Sequence, residues 1–139
     1  MIVGYGIDIM STARIEKAIC RFNEIFLNRI YTDYEREFAK RRNKLASQLY
    51  TSFWAAKEAA MKALGTGNRK GVYFKDIEIH HERSGKPFIK LYGCAHDFAE
   101  KLGTDNIVVS ISHLEDIVVA AVILETKVDN KNSEKGVSP

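Results

Sequence analysis

In "FWAAKEAAMKALGTG", residues 53–67, an acid and a base, Glu58 and Lys62, stand four residues apart in an alanine-rich stretch that runs into Gly65-Thr66-Gly67. Side chains at this spacing share one strip of a helix surface. A lysine beside a glycine turn suits a phosphate: the ammonium neutralises it, and the turn offers N–H groups with no side chain in the way. The plainer reading is an i,i+4 ion pair on a solvated face, followed by a glycine C-cap. Asp8 in "GIDIMSTARI" ends an apolar strand, where an unpaired carboxylate is costly to bury. With Glu58 it supplies oxygen ligands of the kind Mg²⁺ takes alongside waters and substrate phosphates; alone, it reads equally as a turn or cap acceptor. Ser112 and His113 in "VVSISHLED" stand at the mouth of another apolar strand, where a lone histidine is ordinarily just exposed. Taken by themselves, these residues support a Mg²⁺ and phosphate site and go no further.

The elements that must position them can be read from periodicity. "IVGYGIDIM" alternates as a first strand, and Ser11 or Thr12 can cap a helix beginning there. Ile15, Ile19, Phe22 and Phe26 recur at steps of four, three and four, which predicts an amphipathic helix from Ala13 to about Phe26 with Arg14, Lys17 and Arg21 together on another face. Thr32 and Glu35 have capping-box spacing, so a second helix starts there and ends near the basic "KRRNK" at 40–44. A longer helix spans about Leu45 to Leu64 and stops at the glycines. Beyond it the period changes: "DIEIHHE" and "PFIKLY" around "SGK" predict a hairpin, "AHDFAEKLG" a helix, and "NIVVSIS" and "IVVAAVILE" around "HLED" a second hairpin. The polar residues 127–139 read as a disordered tail to a domain spanning 1–126.

Composition narrows the function classes. A chain of 139 residues, 45% hydrophobic and 28% charged, suits one soluble domain, and no apolar run approaches the roughly 20 residues of a membrane span. "MIVGYGIDIM" lacks the features of a signal peptide, so the expected location is cytoplasmic. Two cysteines, Cys20 and Cys94, without metal-ligand spacing, suggest neither a disulfide framework nor a zinc site. The net charge of +3 is small, but nine of the Lys and Arg residues fall between Thr12 and Lys44 against five Asp and Glu. That third of the chain suits an acidic partner.

The ordered set "GIDIMSTARI", "FWAAKEAAMKALGTG", "SGKPFI", "VSISH" and "VVAAVI" resembles the short bacterial 4′-phosphopantetheinyl transferases, the holo-[acyl-carrier-protein] synthase family, from residue 2 to about 124. The resemblance implies an α+β domain with a mixed or antiparallel sheet packed against helices. It also implies transfer of 4′-phosphopantetheine from coenzyme A to a serine of apo-acyl carrier protein in fatty acid biosynthesis, releasing adenosine 3′,5′-bisphosphate. Asp8 and Glu58 match the family's Mg²⁺ ligands, and Lys62 its pyrophosphate-contacting lysine. Gly65, Thr66 and Gly67 match the loop along coenzyme A, and Lys86, Pro87, Ser112 and His113 match positions at the nucleotide end. Glu58 and Lys62 are then the expected proton acceptor and donor, and Glu35 falls where the family often has an acid. The chain departs from the pattern at Phe53, where an arginine is common, and at Leu114, where a small hydroxyl residue is.

With this family in view, the basic face of Arg14, Lys17 and Arg21 gains a candidate partner in the small, acidic carrier protein. The resemblance further suggests a homotrimer with sites between subunits, and neither nucleic acid nor membrane as a partner. One alternative is a non-catalytic module that binds coenzyme A or another nucleotide through its phosphates. A weaker one is nucleic-acid binding through residues 36–44, which lack aromatics at a stacking-platform spacing.

Overall fold

A computed structural model describes residues 1–127; the expected tail lies almost wholly outside the described residues. The elements run β1 (Ile2–Ser11), α1 (Thr12–Phe22), α2 (Glu24–Ile30), α3 (Asp33–Arg41), α4 (Ala46–Leu64), β2 (Ile77–His81), β3 (Pro87–Leu91), α5 (Gly93–Lys101), β4 (Asn106–Leu114) and β5 (Ile117–Glu125). An antiparallel sheet of order β1-β5-β4 and a separate antiparallel hairpin β2-β3 make up the strands. This is the expected α+β arrangement, and both sheets take the antiparallel option.

Alternation along β1 decides how the larger sheet is covered. Gly6 pairs with Val122 and Val122 with Val109, and the next inward row is Asp8, Ala120 and Ile111. Val122 and Ala120 are fully buried. α4 lies across this face, and the glycines set how closely: a Cβ on Gly6 would stand 2.0 Å from the Ala59 carbonyl oxygen, and one on Gly4 2.3 Å from that of Ala63. Small residues on both sides, including buried Ala55, Ala56, Ala59 and Ala60, bring strand and helix backbones almost into contact. The outward rows are Tyr5, Ile123, Val108 and Ile9, Val119, Ser112. Tyr5, Ile7 and Ile9 are exposed there.

Two boundaries differ from the sequence reading. The first helix does not continue to Phe26: Asn23 adopts φ 46 and breaks it into α1 and α2. Asparagine tolerates positive φ where most residues do not, so a residue that fits the helical pattern hides a turn. The last hairpin turns at Glu115-Asp116 alone, with Leu114 opposite Ile117, which places His113 inside β4 rather than in a loop. Cys20 and Cys94 are both free and exposed. The capping box of Thr32 and Glu35 forms with both of its hydrogen bonds.

Candidate active site

β1 and α4 bring Asp8, Glu58 and Lys62 together. The Lys62 Nζ donates to the Ile7 carbonyl at 2.9 Å and to Asp8 Oδ1 at 3.2 Å. Among the described residues its ion partner is therefore Asp8 across the strand–helix contact, not Glu58 on its own helix. Lys62 is about half exposed, and an ammonium has three N–H donors, so one remains for a ligand. Asp8 is nearly covered, and its Oδ2 is buried with no hydrogen-bond partner. Such an oxygen is costly unless something else satisfies it. Burial pushes the Glu58 carboxyl above its ordinary pKa, the nearby Asp8 charge pushes it further, and Lys62 partly offsets both.

Two carboxylates that repel each other, one with an orphaned oxygen, form a donor set that fits a hard divalent cation with oxygen ligands. Half-exposed Lys62 beside them keeps an N–H for an anion.

α4 ends as the glycines predict, with Gly65 at φ 76. The N–H groups of Gly65, Thr66 and Gly67 donate back to the carbonyls of Lys62, Met61 and Met61 at 3.1, 3.2 and 3.3 Å. They close the helix, as the plainer reading had it. A Cβ added at Gly65 or Gly67 would meet no other part of the chain within 4 Å, so the side a side chain would occupy is open to a bound molecule.

The residues expected at the nucleotide end lie elsewhere. Pro87 and His113 line a cavity of about 320 Å³ together with His81, Gly85, Leu49 and Ser52. Lys86 is exposed in the β2–β3 turn, and Ser112 points to the outer face of the sheet, opposite to His113. From Ser52 to Gly65 the axis of α4 covers roughly 20 Å at 1.5 Å per residue. Leu49 stands nine residues from Glu58, about half a turn round the helix. One chain therefore presents these two groups at separate places.

Arg14, Lys17 and Arg21 are exposed on α1, which packs inward through Ile15, 3% exposed. Phe53, where an arginine was the alternative, is fully buried against Tyr31 and Phe38, so this chain gives that position to the core. Leu114 is 77% exposed.

Two features escaped the sequence reading. The first is Lys57, fully buried beside Glu58: its Nζ pairs with Glu35 Oε1 at 2.8 Å and donates to the carbonyls of Phe74, at 2.9 Å, and Ile77. Glu35 also accepts from the N–H of Thr32 at 2.9 Å and of Ile79 at 2.8 Å. Burial lowers the Lys57 pKa, and Glu35 opposes that shift. The second is Trp54, one turn before Glu58 on the same strip. Stacked on Phe26 and Phe74, it lines an apolar cavity of about 400 Å³ with Phe22 and Ile25. The i,i+4,i+8 run Trp54, Glu58, Lys62 was the available signal.

Comparison with known proteins bears directly on this geometry. The family model described as "4′-phosphopantetheinyl transferase superfamily" matches residues 4–122. A holo-[acyl-carrier-protein] synthase from Solibacter usitatus is 46% identical over 126 residues, covering 90% of this chain and 99% of that protein. The chain belongs to the holo-[acyl-carrier-protein] synthase family of 4′-phosphopantetheinyl transferases. It is thus an enzyme of the transferase class. Among solved holo-[acyl-carrier-protein] synthases, that from Neisseria meningitidis superposes with a TM-score of 0.83 at 36% identity, covering 91% of this chain and 100% of that one. The Helicobacter pylori enzyme, solved in complex with coenzyme A, gives 0.76 at 34% identity over 87% and 99% of the two chains.

Proposed function

We propose that the protein transfers the 4′-phosphopantetheine group of coenzyme A to a serine hydroxyl of apo-acyl carrier protein, with Mg²⁺ as cofactor and fatty acid biosynthesis as its setting. The observation that carries this reading is the meeting of Asp8, Glu58 and Lys62 across β1 and α4, with the buried, unpartnered Oδ2 of Asp8. Asp8 and Glu58 would hold the Mg²⁺, which when bound supplies positive charge to a pyrophosphate.

In the transfer, the serine oxygen forms a bond to the β-phosphorus of coenzyme A. The bond from that phosphorus to the bridging oxygen breaks, and adenosine 3′,5′-bisphosphate leaves with the electron pair. Charge grows on the leaving and non-bridging oxygens, where the free N–H of Lys62 stabilises it and can deliver a proton. Glu58 accepts the serine proton, directly or through a water.

Gly65, Thr66 and Gly67 let coenzyme A run close to the backbone, and Lys86, Pro87, Ser112 and His113 take its nucleotide end. The separation of these two groups along α4 favours a site completed by a second copy of the chain. The exposed Tyr5, Ile7 and Ile9 on the outer sheet face offer apolar surface for that association, in the homotrimer the family resemblance implies. Among the described residues no helix is long and apolar enough to cross a membrane, and we assign the protein to the cytoplasm. Arg14, Lys17 and Arg21 receive the acidic carrier protein.

The test is incubation with apo-acyl carrier protein and coenzyme A, with Mg²⁺ or with chelator, and then mass spectrometry of the carrier protein. A metal-dependent gain of one phosphopantetheine is expected. Coenzyme A binding without any gain would instead support a non-catalytic binding module.

A further inference from the structure

We propose that Asp116 is a positioning residue for carrier-protein recognition, clasping the joint between the strand that carries Asp8 and the helix that carries Arg14. This rests on the reading of α1 as the docking helix. Asp116 lies at the tip of the β4–β5 hairpin, far in sequence from both. Its Oδ2 accepts from the Ser11 hydroxyl at 2.6 Å, its Oδ1 from the Ala13 N–H at 3.0 Å, and its carbonyl from the Thr12 N–H at 2.8 Å. Ser11 Oγ in turn accepts from the Arg14 N–H at 3.4 Å. The three N–H groups that open α1 are thus all satisfied at this joint, two by Asp116 and one through the serine that Asp116 holds. A carboxylate at a helix start is also favoured by the helix dipole.

A second observation supports the clasp. Its neighbour Glu115 adopts φ 54, a conformation costly for a residue with a side chain other than asparagine or aspartate. A two-residue turn with glutamate there persists when surrounding contacts over-determine it, and the Asp116 bonds are those contacts.

Asp8 and Arg14 lie six positions apart in the chain, on either side of the clasp. From Ser11 to Arg21, α1 extends roughly 15 Å. A tilt of about 10° at the joint would therefore move the Arg21 end by about 3 Å. A carrier protein docked on that face would then present its serine away from Glu58, while coenzyme A, held by α4, the β2–β3 turn and β4 and by no residue of α1, would not sense the tilt.

The test is steady-state transfer measured by mass spectrometry, varying carrier protein and coenzyme A in turn, for wild type, Asp116→Asn, Arg14→Ala and the double variant. Asp116→Asn, which keeps an oxygen for the Ala13 N–H but puts an NH₂ group where the carboxylate accepts from Ser11, should raise KM for carrier protein about fivefold, the scale of one lost hydrogen bond. KM for coenzyme A should stay within about twofold, and the double variant should lie near Arg14→Ala alone, because residues acting through one surface are not additive. Ser11→Ala, which removes the hydroxyl's bonds to Asp116 and from the Arg14 N–H but keeps the Asp116 bonds to Thr12 and Ala13, should show the same selectivity. A wild-type carrier-protein KM in Asp116→Asn beside a raised one in Arg14→Ala would overturn the positioning role alone. A wild-type value in Arg14→Ala would overturn the docking reading and this inference with it. Equal rises for both substrates, together with a lowered unfolding midpoint, would show that Asp116 only holds the fold, and would also overturn the proposal.

Discussion

Replacing Gly6 with alanine would place a Cβ 2.0 Å from the Ala59 carbonyl oxygen, 2.8 Å from the Ala63 nitrogen and 2.9 Å from the Lys62 Cβ. The first two neighbours are helix backbone and have no rotamer with which to give way. Separations below 3.0 Å are essentially never seen for a real Cβ, so β1 and α4 must part by about 1 Å, a misplacement on the scale that costs an enzyme about 100-fold in rate. Asp8 lies two residues further along β1, and its distance to Glu58 and Lys62 is set by this contact. Overpacking of this kind costs about 1–3 kcal/mol of stability.

The assay is phosphopantetheine transfer read by mass spectrometry, run beside urea denaturation. Gly4→Ala is the comparison: its Cβ would meet the Ala63 carbonyl oxygen at 2.3 Å, two residues further from Asp8. Both variants should lose similar stability, and Gly6→Ala should lose far more turnover and require more Mg²⁺. Turnover within about threefold of wild type in a folded Gly6→Ala protein would refute the idea that the strand–helix approach governs the site. Equal losses in both variants would attribute the effect to a loosened sheet.

Lys57→Met should destabilise by about 3–5 kcal/mol, because it leaves the Glu35 carboxylate buried without its cation. Urea midpoints should therefore fall by roughly 2 M for an m-value of about 2 kcal/mol/M, and Lys57→Met/Glu35→Gln should recover part of the loss. Arg14→Ala should raise KM for carrier protein while sparing coenzyme A, and added salt should narrow the gap to wild type, as measured by initial rates across ionic strength. The raised Glu58 pKa has a defined sign: its charged form is disfavoured by folding, so it contributes stability at pH below its unfolded pKa, lost as pH rises through the folded one. In the absence of metal, Glu58→Gln should then raise the melting temperature at neutral pH, with the gain fading under acid conditions. Because a proton competes with the metal at Glu58, Mg²⁺ activation of the wild type should weaken on acidification before an ordinary carboxylate would titrate, as read from activation curves at a series of pH values.

What the sequence made legible was local. Period-two alternation in "IVGYGIDIM" marked the first strand and the continuous apolar run "IVVAAVILE" the last, and Thr32 with Glu35 marked a cap that needs only four consecutive residues. The parts it missed or left open depend on distant chain. Lys57 sits between alanine and glutamate on a helix and reads as solvated, because nothing nearby signals Glu35 or the carbonyls of Phe74 and Ile77. Gly65-Thr66-Gly67 permits both an anion cradle and a helix cap, and only the three-dimensional hydrogen bonds decide that its N–H groups are spent on Met61 and Lys62. Asn23 is polar in a polar position, and only its φ reveals the break.

The same distinction explains how the site is held. Adjacent residues of α4 have opposite surroundings: Lys57 is wholly buried and saturated with partners, whereas Glu58 is half-buried, repelled by Asp8 and has a raised pKa. Where α4 meets β1 it presents alanines, which offer no ridge to lock. Its roll is held from the other side, by the Lys57 bonds to Glu35 and to the chain leading into β2 and by the ring contacts of Phe53 and Trp54, and Gly4 and Gly6 set the distance to β1. Glu58 is consequently pinned in an unfavourable position beside another carboxylate, a state that a relaxed helix would escape by rotating. The rigid, fully satisfied neighbour is what allows the reactive pair to remain unsatisfied, and a metal between them would relieve that repulsion. Loosening Lys57 should therefore weaken metal activation even where the fold survives.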